Sequence, residues 1–206
     1  MTDNAGVWGT LERWRSVALL VPGVVLVLIM INAVLILVAN TGMNLSPLVH
    51  LGLMLVAYLG LLGLSPRLVE RAPRLGRVCQ VFVLVSGLEI MLTFGLGILP
   101  SLTSRTVFAL AVAMGVLGSA LTMTVFGATT LWTRAYSRRV GGFLLLAALG
   151  LYFVIVKALL FGDVGGPEWV PIVNNGLVGL SLIAVGVLIR TEADPTEQTE
   201  STETVA

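Results

Sequence analysis

Glu89 and Lys157 are the two residues charged at neutral pH that fall inside long apolar stretches of this 206-residue chain. A carboxyl group in such surroundings can carry a proton or face a solute. An ammonium group beside it can pair with it or hold an anion. Glu89 stands in the middle of VCQVFVLVSGLEIMLTFGLGIL, residues 78–99. Its place in that run sets it ~16 Å deep if the run is a helix crossing a bilayer. Ionisable groups at such depth mark functional sites by default. The structural alternative is a neutral acid hydrogen-bonded to a neighbouring helix. Lys157 lies four residues from the end of its own stretch. The expectation is that it snorkels to the outer surface, with a pair to Glu89 as the alternative.

Four more polar residues fall at a similar level on other stretches: Asn32, His50, Asn174 and Asn175. A shared outward-opening cavity with Glu89 at its floor explains all of them. Separate hydrogen bonds between helices do so as well. The segment GDVGGPEW, residues 162–169, has two acids and no base. It is either a cover over such a mouth or a Gly/Pro turn.

Catalysis has less to work with. One histidine cannot ligate haem twice, and one cysteine with one histidine leaves a zinc site short of ligands. A serine–histidine pair would join Ser119 to His50. The first is expected ~20 Å below the surface and the second ~5 Å, beyond hydrogen-bond reach. No phosphate-binding loop is present. The chain is therefore read as a non-enzyme without cofactor or metal. Cys79 alone allows no intrachain disulfide and reads as a small buried hydrophobe.

The elements that would hold these residues follow from composition. The chain is 57% hydrophobic and 11% charged, against ~25% charged for soluble domains. Six uninterrupted apolar segments appear, at 17–39, 47–64, 78–99, 106–133, 140–161 and 170–189. Each is near the ~20 residues a helix needs to span a bilayer. In lipid they must be helices, since every backbone polar group needs a partner. The expected fold is an all-α bundle of six transmembrane helices.

Arginine and lysine set the orientation. Ten basic residues fall on the side of both termini, and Arg105 and Lys157 on the other. Both termini are thus expected in the cytoplasm of a cell-membrane protein. Residues 1–16 are expected as an interfacial arm carrying Trp8, Leu11 and Trp14, and 191–206 as a disordered acidic tail. Ser65-Pro66 is expected to open a short loop helix stopped by Pro73. Pro22-Gly23 should bend the first span. Ala111, Gly115 and Ser119, with Ala120, Thr124 and Ala128, form small-residue rows that predict a central, enclosed fourth helix.

A net charge of +1 argues against nucleic acid as a partner. The partners expected are the lipid bilayer, a small solute, and another membrane protein or a second copy of the chain. In size and topology the chain resembles the substrate-capture subunits of energy-coupling-factor vitamin importers. The two functions carried forward are a small transporter, channel or solute-binding subunit, and a non-catalytic assembly subunit of a larger membrane complex.

Overall fold

The computed structural model describes residues 4–43, 46–99, 104–161 and 169–193. These form six helices: α1 (Asn4–Ala39), α2 (Pro47–Arg71), α3 (Pro73–Ile98), α4 (Arg105–Thr133), α5 (Arg138–Phe161) and α6 (Trp169–Ala193). All six are long and apolar enough to cross a membrane. The protein is a multi-pass helical membrane protein by length and composition.

Each helix packs on the one before and the one after it, and α6 closes onto α1. The result is a ring of six with alternating direction. The near end carries the helix ends beside the termini, and the far end carries the α1–α2, α3–α4 and α5–α6 connections. Arg13, Arg15, Arg67, Arg71, Arg74, Arg77, Arg134, Arg138, Arg139 and Arg190 all belong to the near end.

Local chemistry explains the boundaries. Asn40, at φ 51°, ends α1 in the left-handed conformation that asparagine tolerates. Ser46 caps α2 by accepting from the Leu48 amide at 3.3 Å, with Pro47 following at the first helical position. Ser104 caps α4 through the Val107 amide at 3.3 Å. Arg134, at φ 52°, closes α4.

Several expectations are corrected here. Residues 4–16 are not a separate arm but the first turns of α1, which runs unbroken for 36 residues through Pro22. The Leu11 carbonyl and the Arg15 side chain pack against Gly63 of α2, so this stretch does not lie apart in the headgroup plane. Nor do Ser65-Pro66 start a helix. The Ser65 hydroxyl donates back to the Leu62 carbonyl at 2.8 Å and α2 continues to Arg71. Ala72 alone then separates α2 from α3. The chain can fold back this sharply because Gly76 has no side chain: a Cβ there would fall within 2.5 Å of the Val69 amide nitrogen.

The fourth helix is not the most enclosed. In their most apolar windows, 50% of α2 and 50% of α6 is buried, against 28% of α4. The reason lies in where the glycines sit. Gly23 of α1 and Gly179 of α6 face each other, and a Cβ on either would stand 2.9 Å from the other's carbonyl oxygen. Gly127 of α4 and Gly141 of α5 form a second such pair, also at 2.9 Å. These are two of the close crossings. At Gly115 an added Cβ would meet only Ile90, at an ordinary 3.7 Å.

Candidate functional site

The near half of the ring is filled. Leu61, Leu64, Met123, Phe126, Leu144 and Leu182 are fully buried there. Its end is tied by charge. The Arg15 guanidinium, buried despite its charge, donates to Glu12 at 2.7 Å. Arg67 approaches the same carboxylate at 3.9 Å. Arg15 and Arg67 also stand over the Tyr136 ring, at 5.9 and 5.5 Å from its centre. Such cation–π contacts suit the weakly hydrated guanidinium. The Tyr136 hydroxyl donates to the Leu64 carbonyl at 3.0 Å, and Glu192 accepts from the Ser137 amide at 3.3 Å. Burial pushes the Tyr136 phenol up to about 12, with Arg15 and Arg67 pulling against that rise. The cluster ties α1, α2, the α4–α5 turn and α6 together.

The far half is hollow. A cavity of about 390 Å³ lies inside the ring, with lining residues from all six helices. Its floor is at Ser119 of α4, whose hydroxyl accepts a hydrogen bond across the ring from Tyr58 of α2 at 2.7 Å. The Ser119 hydroxyl in turn donates to the Gly115 carbonyl, also at 2.7 Å. Above the floor the walls are apolar: Leu26, Met54, Ile90, Val116, Leu151 and Val178. Towards the far end they become polar, with His50, Lys157, Asn174 and Asn175. Counted from the far helix ends, His50 and Lys157 lie ~5–6 Å in, and the two asparagines ~8–9 Å. The cavity thus has a polar mouth and an oily body.

Four of the six residues singled out from the sequence meet here. The His50 imidazole faces the Asn175 side chain. Asn175 is buried, and the buried Asn174 Oδ1 has no hydrogen-bond partner among the described residues. Lys157 differs from its expectation. Only 5% of it is exposed, so it does not snorkel to the surface. No salt bridge joins it to Glu89, and among the described residues it has no counter-ion.

The other two lie elsewhere. Asn32 serves the α1–α2 connection: its Nδ2 donates to the Met43 carbonyl at 2.9 Å and its Oδ1 accepts from the Met43 amide at 3.0 Å. Glu89 is absent from the cavity wall, so it is not the floor. It lies at the edge of the buried stripe of α3, between buried Ser86 and Ile90 and exposed Val85, Leu88 and Leu92. Its carboxylate rests over Gly118 of α4, where an added Cβ would stand 2.6 Å from Oε2. Among the described residues it accepts no hydrogen bond, while its neighbours pair among themselves: Ser86 with Thr122 at 2.9 Å, and Thr93 to the Glu89 carbonyl at 2.9 Å. The 162–169 segment lies outside the described residues except Trp169, whose ring contacts Phe153 at 5.7 Å between centres.

A second hollow, a groove of about 840 Å³ on the flank of α5 and α6, is wider but carries only Arg139 as a polar group. Its position outside the ring fits lipid contact, so the internal cavity is the candidate site. Sequence reasoning missed Tyr58, Ser119's tie to it, and the Arg15–Tyr136–Arg67 cluster. A tyrosine in mid-span was the available signal for the first.

Fold and site together define a six-helix membrane protein with a half-filled ring and an internal cavity. No family model, curated protein or solved structure matches the chain.

Proposed function

We propose that the protein is a solute-binding membrane protein of the cell membrane, a small transporter or capture subunit without enzymatic activity. Its cavity opens to the outside and both termini face the cytoplasm. The observation that carries this reading is Lys157, a cation buried in a cavity with no counter-ion among the described residues. A charge held so is costly unless something fills the site with it. The near-end arginines support the orientation.

Cysteine labelling in intact cells tests both parts. In a Cys79→Ser background, a cysteine at Val112 in the cavity wall should react with a membrane-impermeant thiol reagent added outside. A cysteine at Ala135 should react only after permeabilisation. External reaction at Ala135 overturns the orientation, and no reaction at Val112 overturns the open cavity.

A second reading, an assembly subunit, is favoured by Glu89. A carboxyl on the flank of α3–α4 with no partner among the described residues suits a partner helix carrying a donor or a cation. Stoichiometric co-purification that is lost in Glu89→Leu would favour it. A monodisperse monomer unaffected by the substitution would remove it.

A further inference from the structure

We infer that the cavity binds a small amphiphile with a single anionic head, a monocarboxylate, held head-outward at Lys157 with its apolar body directed at the Tyr58–Ser119 floor; this rests on the reading that the cavity admits solutes. Polarity along the cavity carries the argument. The cation, the imidazole and both amides gather at the far end beside Val170 and Pro171, and the deeper wall is apolar except for Ser119. Lys157 has three donors and no anion among the described residues. The asparagine amides add donors beside it, which suits the two oxygens of a carboxylate. His50, against Asn175, supplies one more donor or acceptor.

Size narrows the class. Along α6 the lining runs from Val170 at the mouth to Val178, a rise of ~12 Å. At about 390 Å³ the cavity falls at the low end of the ~300–1,000 Å³ that small-molecule sites span. A phenyl-alkyl or medium-chain acid fits these limits, and a two-chain lipid does not. A cationic amphiphile would set its charge against Lys157. A fully polar solute would leave the walls unmatched.

Titration of the purified full-length protein in nanodiscs with 4-phenylbutyrate, and with 4-phenylbutanamide as the neutral counterpart, tests the inference. Tryptophan fluorescence and thermal shift read the binding, with ionic strength fixed. The carboxylate should bind at least tenfold more tightly than the amide. Lys157→Met should abolish that preference, and Lys157→Arg should keep most of it. Leu151→Trp, which fills the cavity, should weaken both probes. Equal binding of acid and amide to the unaltered protein would overturn the anionic class while leaving a solute cavity in place. A preference that survives in Lys157→Met would overturn the role of the lysine. Binding of neither probe, with the Val112 cysteine still reactive from outside, would overturn the ligand class alone. Loss of that reactivity as well would bring down the cavity reading with it.

Discussion

At the scale of single residues, two ionisable groups in apolar surroundings have opposite settings. Lys157 is enclosed by the ring, and Glu89 is on its flank. Both were visible in the sequence, because a charge in an apolar run needs no structure to be noticed. Their settings were not visible. One helical position, ~100° of rotation, separates the cavity wall at Ile90 from the flank at Glu89. Depth alone could not resolve that. The setting changes what a substitution should do. Among the described residues nothing pairs with the Glu89 carboxyl, so Glu89→Leu strands no partner within the chain. An acid at such a depth costs about 2.5–3.5 kcal/mol on insertion scales. Glu89→Leu is therefore expected to raise the melting temperature of the monomer in detergent, and Glu89→Gln to raise it less. A lower melting temperature for the leucine variant would show that the carboxyl does have a partner. Tyr136 offers a second test. Its phenol titrates at about 12 when folded, above the ordinary 10.0. The folded state thus holds its proton more tightly, and that stability is fully present below pH ~10 and lost as pH rises towards 12. Tyr136→Phe should lose about 1 kcal/mol at neutral pH with the bond to Leu64. It should also flatten the decline of stability above pH 10, and an unchanged alkaline slope would refute the assignment.

At the scale of elements, the six helices were legible because apolar length is a strong signal. Their contacts were less so. Small residues mark close approach only when they face a neighbour, and the sequence does not say which do. Ala111, Gly115 and Ser119 line up at the right spacing, yet Gly115 leaves room and Ser119 looks into the cavity. Gly23 and Gly179 carry a tight crossing instead, and Gly176 and Gly186 of α6 also meet α1, at Met30 and at Leu20 with the Ser16 carbonyl. A Cβ at Gly179 would touch the Gly23 carbonyl oxygen, which is backbone and cannot swing away. Gly179→Leu should thus cost about 1–3 kcal/mol or more, as overpacking does. Gly115→Ala should be within about 0.5 kcal/mol of neutral, as unstrained sites are. Denaturation in mild detergent, followed by circular dichroism, ranks the two. Equal effects would mean that the α1–α6 crossing is looser than described. Proline misled in the same way. Ser65-Pro66 has the residues of a helix start, but the hydroxyl finds the Leu62 carbonyl and the helix carries on.

At the scale of the whole molecule, the ring is asymmetric along its axis. One half is packed with leucine, methionine and phenylalanine and tied at its end by Arg15, Glu12, Arg67 and Tyr136. The other half holds the cavity. A transporter needs the filled half to open at some stage, whereas a capture subunit or receptor does not. The cluster at the near end is where such opening would have to begin, since it joins α1 and α2 to the α4–α5 turn. Two of its links depend on Arg67: the contact with Glu12 and the position over Tyr136. Arg67→Gln combined with Tyr136→Phe removes them and the Leu64 hydrogen bond, and leaves the Arg15–Glu12 pair in place. Each loss is modest, about 0.5–2 kcal/mol, so folding should survive. With a cysteine at Met123, below the floor, labelling by a thiol reagent from the cytoplasmic side of inverted vesicles then separates the functions. In a transporter the double substitution should speed that labelling several-fold, because it shifts a pre-existing equilibrium towards the near-open form. In a protein with a fixed far-open cavity the rate should stay at that of the parent, and the transporter reading would fall while the binding site remained.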